Sequence, residues 1–287
     1  MKTTTSRYCT YELRPGSEES MIRRQQGGLS YYQFANLADH SGVVHCVFTR
    51  KGGSSHPPFA SLNVGHTVGD EDRAVATNHT LIYQTANTSE EDVVTAHQVH
   101  GSHVVAVGQI HHQIYRETDA LVTNVPGLML MLRFADCTPV MLYDPVHEAV
   151  GLVHSGRMGT LARIVSHTVD RMSEEYGSQP SELLAGIGPS IGPCCYQVGP
   201  EVVAEVGARF PKAEGSLVQQ ADGSFHFDLW GTIRRQLEIK GVQRIEVAGI
   251  CTACHVDEFF SHRAERSQTG RFAALIGLSR SNTGGRE

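Results

Sequence analysis

Cys137 and His154 each stand at one end of an apolar run in FADCTPVMLYDPVHEAVGLVHSG, residues 134–156. A thiol and an imidazole brought together can share a metal ion, or form a thiolate–imidazolium pair in which the sulfur is an activated nucleophile. Between them, Asp144-Pro145-Val146-His147 has aspartate and proline at the first two positions of a type I turn, which reads as a hairpin. If Pro145 and Val146 form a two-residue loop, opposed residues have numbers summing to 291, and Cys137 faces His154. Directly opposed Cβ atoms lie about 4.5–5.5 Å apart. A one-residue bulge would instead send the two side chains to opposite faces. Taken singly, such a cysteine is more often a small buried hydrophobe and such a histidine a satisfied strand residue. The small, polar neighbours Ala135-Asp136 and Ser155-Gly156 mark strand ends, where chemistry tends to sit.

A third ligand would complete a catalytic metal site, since zinc in enzymes takes three protein ligands and keeps one position open. His97, His100, His103, His111 and His112 crowd into one segment, and HQVHG at 97–101 is the best source. His97 and His100 would share a face only on a helix. Gly101, Val104 and Val105 favour a turn leading into a strand, so one of the two is expected to ligate and the spacing leaves both open.

The elements that must position these groups follow from periodicity. Apolar or β-branched runs predict strands at 43–49, 103–107, 128–134, 139–143, 149–153, 183–187, 244–250 and 272–277. Helical spacing predicts helices at 72–87, 159–176, 200–209 and 228–239, the last with Asp228 as N-cap and Gly241 just beyond its end. Strands that are partly hairpin-linked and partly helix-separated predict an α/β (α+β mixed) fold, a mixed β-sheet core covered by helices. One domain over 29–280 is expected, with a poorly ordered arm at 1–28 and a flexible tail at 281–287.

Composition narrows the function class. With 40% hydrophobic and 19% charged residues and a net charge of −6, the chain has a globular core and no cationic footprint for nucleic acid or an anionic membrane. No run is long enough to span a membrane and no signal peptide is visible, so a cytoplasmic location is expected. Seven cysteines in a reducing compartment argue against a disulfide framework.

Further along, the ordered motifs accumulate: Gln98-Val99-His100-Gly101, Thr118-Asp119-Ala120-Leu121-Val122-Thr123, Ala135-Asp136-Cys137-Thr138-Pro139, His154-Ser155-Gly156, and the run from Gly186 to Tyr196. With Thr49-Arg50-Lys51-Gly52-Gly53-Ser54, Ser61-Leu62-Asn63, Phe259-Phe260-Ser261-His262-Arg263 and Thr269-Gly270-Arg271, the chain over roughly 43–278 resembles the laccase-domain family. That family was named for copper polyphenol oxidation and is now read as purine nucleoside phosphorylases. The resemblance implies a single α/β domain, similar to the deamidase domain of cytotoxic necrotizing factors. It also implies a zinc site at His100, Cys137 and His154, choosing His100 over His97. The implied reactions are phosphorolysis of adenosine, inosine, guanosine and methylthioadenosine, with adenosine deamination at the same site. The partners are then a small nucleoside and phosphate. Asp136 or Asp119 would orient water or a ligand. One departure stands out: where the family usually reads His-Ala-Gly-Trp-Arg-Gly, this chain has Arg157 at the tryptophan position and Met158 at the arginine position.

Other motifs admit two readings. The glycine- and proline-rich run from Gly186 to Tyr196 is either a backbone phosphate cradle or a set of tight turns. Arg50, Asn63, Asp119 and Arg263 are candidates for substrate contact, although Arg50, Asn63 and Arg263, taken singly, each read first as structural. Cys251-Thr252-Ala253-Cys254-His255 matches a haem-attachment pattern, which the expected cytoplasmic location argues against. A zinc-knuckle reading would need a second pair at matching spacing, and the adjacent Cys194 and Cys195 are given no chemistry. Rossmann, Walker and zinc-deaminase signatures are absent. Three alternatives remain: a metal-free Cys137–His154 hydrolase or amidase, a copper polyphenol oxidase, and a non-catalytic binding protein.

Overall fold

The computed structural model describes residues 21–109, 114–210 and 216–280. Two mixed sheets pack face to face, with a third, small sheet of three strands at the side. The seven-stranded sheet runs, edge to edge, through Met21–Gln26, Leu29–Phe34, Val43–Phe48, Phe272–Leu278, Met129–Phe134, Val93–Ala96 and Ile114–Tyr115. The six-stranded sheet runs through Arg244–Val247, Leu184–Ile187, Thr138–Asp144, Ala149–Ser155, Ala120–Thr123 and Val104–Ala106.

Side-chain alternation explains the layering. In the strand Thr138–Asp144, Met141 and Tyr143 face the other sheet, while Val140 and Leu142 face the helices Ile164–Tyr176 and Leu229–Lys240. Every residue of this strand is buried because both its faces are covered, which is why it reads as an unbroken apolar run. On the outer face of the larger sheet, Phe48, Met131 and Leu275 pack with Ile82 and Tyr83 of the helix Asp72–Thr85. The result is four layers, helix–sheet–sheet–helix.

All eight expected strands form, and three differences carry physical content. First, the expected N-terminal arm is ordered from Met21 onward. Met21–Gln26 pairs with Leu29–Phe34 through Gly27 and Gly28, at φ 59° and 82°, the left-handed pair that a tight hairpin turn requires. Residues 1–20 and the expected tail at 281–287 lie outside the described residues. Second, the helix expected over 159–176 is two helices, Arg157–Leu161 and Ile164–Tyr176, broken where Arg163 adopts φ 59°. Third, the central hairpin is shifted. Asp144 pairs with Ala149 and Thr138 with Ser155, so opposed numbers sum to 293 rather than 291. The loop is longer because Asp144 caps it: its carboxylate accepts from the backbone N–H of Val146 and His147 and meets His147 Nδ1 at 2.9 Å. A two-residue shift preserves the facing of every side chain, so Cys137 and His154 still share a face. The last helix is as expected, with Asp228 accepting from Gly231 N at 3.0 Å and Gly241 left-handed at its C-terminus.

His45, on the strand Val43–Phe48, is fully buried and accepts a hydrogen bond from Phe34 N through Nε2 at 2.9 Å. Burial pushes its pKa down to about 4, so the folded chain holds it neutral. Its contribution is therefore complete above the unfolded value near 6.5 and is lost as pH falls from there towards 4. Denaturant unfolding of His45→Asn beside the parent should show roughly 2–3 kcal/mol less loss of stability between pH 7.5 and 4.5. Equal losses in the two proteins would rule this out.

Candidate metal centre

The chain segment Ala135–Cys137 crosses from the larger sheet to the smaller one, joining Met129–Phe134 to Thr138–Asp144. Cys137 is thereby delivered to the edge of the inter-sheet layer, next to the end of the strand Ala149–Ser155 that carries His154. Asp136 makes the tight crossing at φ 81°, and His100 sits at φ 61° in the loop before Val104–Ala106. Both are left-handed non-glycine residues, conformations that persist only where surrounding bonds enforce them.

The ligand-capable atoms of His100, Cys137 and His154 all lie within 4.8 Å of one another. The two imidazoles meet edge to face at 4.9 Å. His154 is buried, Cys137 half-buried and His100 exposed, so the group has one side open to solvent.

Asp119 organises this arrangement. Its fully buried carboxylate accepts from the backbone N–H of Val99, His100 and Gly101 at 3.1, 2.9 and 2.7 Å, which fixes the histidine loop. It also meets His154 Nδ1 at 2.8 Å, and its own carbonyl accepts from His154 N at 2.7 Å. With Nδ1 so engaged, Nε2 is the ring atom left to face Cys137. Burial raises the Asp119 carboxyl, but His154 and the loop N–H groups outweigh it and hold the acid below its ordinary value. Burial likewise raises the Cys137 thiol, while His154 and His100 bring it down to about 6. Burial lowers His154, yet Cys137 and Asp119 raise it to about 9. Between those values the metal-free pair is thiolate and imidazolium.

Gly156 is part of the same construction. A Cβ there would stand 2.7 Å from Cys137 Sγ and 3.3 Å from His100 Cδ2. Gly156→Ala should displace the thiol and weaken metal retention by about 10- to 100-fold, the range seen when the support around a ligand is disturbed. Equilibrium dialysis against a chelator measures it, and unchanged retention would show that the loop yields freely.

Several residues expected from the sequence are held in contacts within the protein. Asp136 is one of them. Its carboxylate accepts from Thr252 Oγ1 and from Arg263 N, both at 2.6 Å, so it anchors the crossing loop. Arg50 lies over the Phe260 ring at 4.2 Å and donates to Ala60 O, Val256 O and Glu265 Oε1, which makes it a brace between loops. Asn63 is fully buried, accepting from Gly65 N and Arg271 N and donating to Gly65 O and Asp70 Oδ2; no polar atom is left for a sugar. Among the described residues, the Asp119 carboxylate is engaged by the His100 loop and by His154. His97 stays out of the group, while His111 and His112 lie outside the described residues. Of the two readings left open for Gly186–Tyr196, a phosphate cradle or tight turns, the hydrogen bonds favour the turns. Backbone N–H groups of Gly188, Ser190, Ile191, Gly192, Cys195 and Tyr196 all donate to protein atoms.

Arg263 borders the crossing loop, its N–H donating to the Asp136 carboxylate. It is exposed, lies over the Tyr196 ring at 5.1 Å, and donates to Gln197 O at 3.1 Å. Arg271 was not singled out from the sequence. It is half-buried and close enough to interact electrostatically with both Cys137 and Asp136. Tyr196 likewise feels Cys137, Arg157 and Arg263. Met158 is exposed, and Arg157 lies 3.9 Å from Glu205.

A family model described as multi-copper polyphenol oxidoreductase laccase matches residues 44–279. The chain belongs to this laccase family. Its relatives include a purine nucleoside phosphorylase of Bacteroides thetaiotaomicron, 35% identical over 85% of this chain and 94% of the relative. The purine nucleoside phosphorylase YlmD of Bacillus subtilis is 36% identical over 82% of this chain and 88% of the relative. Among solved structures, YlmD of Geobacillus stearothermophilus superposes with a TM-score of 0.85 at 32% identity, over 92% of this chain and all of that one. The mixed α/β architecture of this laccase-family chain is therefore shared with its relatives. Among the described residues, no helix is long and apolar enough to cross a membrane.

Proposed function

We propose that this laccase-family chain is a zinc-dependent purine nucleoside phosphorylase that also deaminates adenosine. The observation that carries the reading is the convergence of His100, Cys137 and His154 with Asp119 behind them, in a chain whose relatives bear the phosphorylase name. One thiolate and two imidazoles are a donor set suited to zinc, and the exposed side matches the open position of a catalytic site. A zinc ion held there would supply Lewis-acid polarisation of a substrate oxygen or of water.

The remaining work falls to the chain's own groups. Asp119 fixes the His154 tautomer and the His100 loop, so the ligands need no rearrangement when substrate arrives. Arg263 and Arg271 offer positive charge on the side of Cys137 where phosphate would be held. Tyr196 presents a ring against which a purine can stack. Adenosine, inosine, guanosine and methylthioadenosine all present the purine and ribose that such a site addresses. A single group of one cysteine and two histidines favours this chemistry over copper oxidation of polyphenols, which calls for a histidine-rich cluster.

The test is direct. Metal-quantified protein incubated with adenosine should release adenine only when phosphate is present, and should form inosine with or without it. Protein holding its metal but leaving all four nucleosides unchanged would overturn the reading.

One observation favours a second reading. Cys137, His154 and Asp119 form a thiol–imidazole–carboxylate relay, the His154 to Asp119 link being 2.8 Å. That relay could serve a metal-free cysteine hydrolase, in which Cys137 is the nucleophile and His154 its base.

A further inference from the structure

Cys194, Cys195, Cys251 and Cys254 lie far apart in sequence, yet their four sulfurs are all within 4.8 Å of one another. No second pair has the spacing of Cys251-x-x-Cys254, but the adjacent pair Cys194-Cys195, given no chemistry from the sequence, meets it in space. The strands Leu184–Ile187 and Arg244–Val247 are parallel, and they pair residues that are 60 positions apart. The loops that follow continue side by side, bridged at Ser190 and Cys251. At that bridge the offset becomes 61, and the turns that follow bring Cys194 and Cys195 against Cys254.

We propose that these four cysteines bind one structural zinc ion as a tetrathiolate site, separate from the centre at Cys137. The distances fit the geometry. A zinc about 2.3 Å from each of four tetrahedral sulfurs sets sulfur–sulfur edges of about 3.8 Å. Cys254 Sγ lies 3.7 Å from Cys194 Sγ and 3.4 Å from Cys195 Sγ. Sulfurs gathered this closely enclose a single ion rather than a multinuclear iron cluster, whose irons would hold them further apart.

Gly192 N donates to Cys251 Sγ at 3.2 Å, the kind of N–H to sulfur bond that supports thiolate charge around a metal. Gly192 must also be glycine, because a Cβ would meet the Trp230 ring at 2.7 Å. On binding, each protonated thiol gives its proton to solvent as its sulfur takes a zinc bond. No oxidant is needed.

The position explains the purpose. The two cysteine-bearing loops are also the ones that grip the crossing loop: Ile191 N donates to Asp136 O at 3.0 Å, and Thr252 Oγ1 donates to the Asp136 carboxylate. Arg263, which lies over Tyr196, is held by the same carboxylate through its N–H. A zinc stapling the two loops would therefore fix the wall of the catalytic cleft beside Cys137.

The test begins from the full chain carrying Cys137→Ala, which removes the other metal site. This protein should retain about one zinc, and X-ray absorption should give four sulfur neighbours near ~2.3 Å. Adding Cys254→Ser should remove that zinc. Should the double variant fail to fold, the parent protein still decides the matter: titration with a mercurial should release a second zinc in step with modification of these four thiols. The inference fails if Cys137→Ala protein holds no zinc, if it holds iron, or if native mass spectrometry finds a disulfide among the four cysteines. It stands or falls apart from the nucleoside assay, because parent protein with two zincs and no turnover would refute only the proposed activity.

Discussion

His100→Ala is expected to lose its catalytic metal and its nucleoside turnover together, with kcat/KM falling by about a thousandfold or more, ~4 kcal/mol of transition-state stabilisation. His100 is exposed and held by its backbone N–H to Asp119, so truncation beyond Cβ leaves the carboxylate's bonds and the core in place. What disappears is one of the three proposed ligands. The Cys137–His154–Asp119 relay stays intact, so a metal-free hydrolase would keep most of its activity, with no change in metal content. Metal analysis and turnover measured on one preparation separate the two outcomes. A zinc-replete, fully active His100→Ala protein would sink the metal-dependent reading.

Asp119→Asn should be the more damaging change to the structure. The carboxylate takes three backbone N–H groups and the Nδ1 of a buried histidine, four partners for two oxygens. An amide turns one of those acceptors into a donor. Either the Val99 and Gly101 N–H groups or the His100 N–H and His154 ring then face an NH2 group. Losing hydrogen bonds to a charged, buried acceptor costs about 1.5–3 kcal/mol each, so an overall loss of roughly 3 kcal/mol is expected for the metal-free protein. The tautomer and angle of His154 are released at the same time, which should weaken metal affinity about 10- to 100-fold. Chemical denaturation of the apo protein and competition against a chelator read the two effects separately. If stability falls and metal affinity does not, Asp119 supports only the loop.

Those two variants probe contacts between residues far apart along the chain, and the difference in what could be foreseen follows the same divide. That Cys137 and His154 share a face came from one hairpin whose alternation survives a two-residue change of register, although the expected direct opposition does not form. The strands around it and the capped helix Leu229–Lys240 were legible for the same reason: each is written in its own periodicity and end residues. Strands with short or mixed runs, such as Met21–Gln26 and Val93–Ala96, left no such signal and are held by their neighbours.

The sequence by itself determined the strands and the hairpin that put Cys137 and His154 at strand ends in a mixed α/β domain, and it offered the histidine-rich segment at 97–112 as a source of a third candidate ligand. Only the tertiary structure decided the rest. It made Asp119 the hub of that site, tied Arg50 and Asn63 into loop contacts, turned most backbone N–H groups of Gly188–Tyr196 onto protein acceptors, and brought Arg271 near Cys137. It also joined Cys194-Cys195 to Cys251-x-x-Cys254. The physical reason is range. Alternation and caps act within a few residues of chain, whereas the order and register of two packed sheets are set by how all the strands bury their faces at once, and that register alone decides which distant side chains meet.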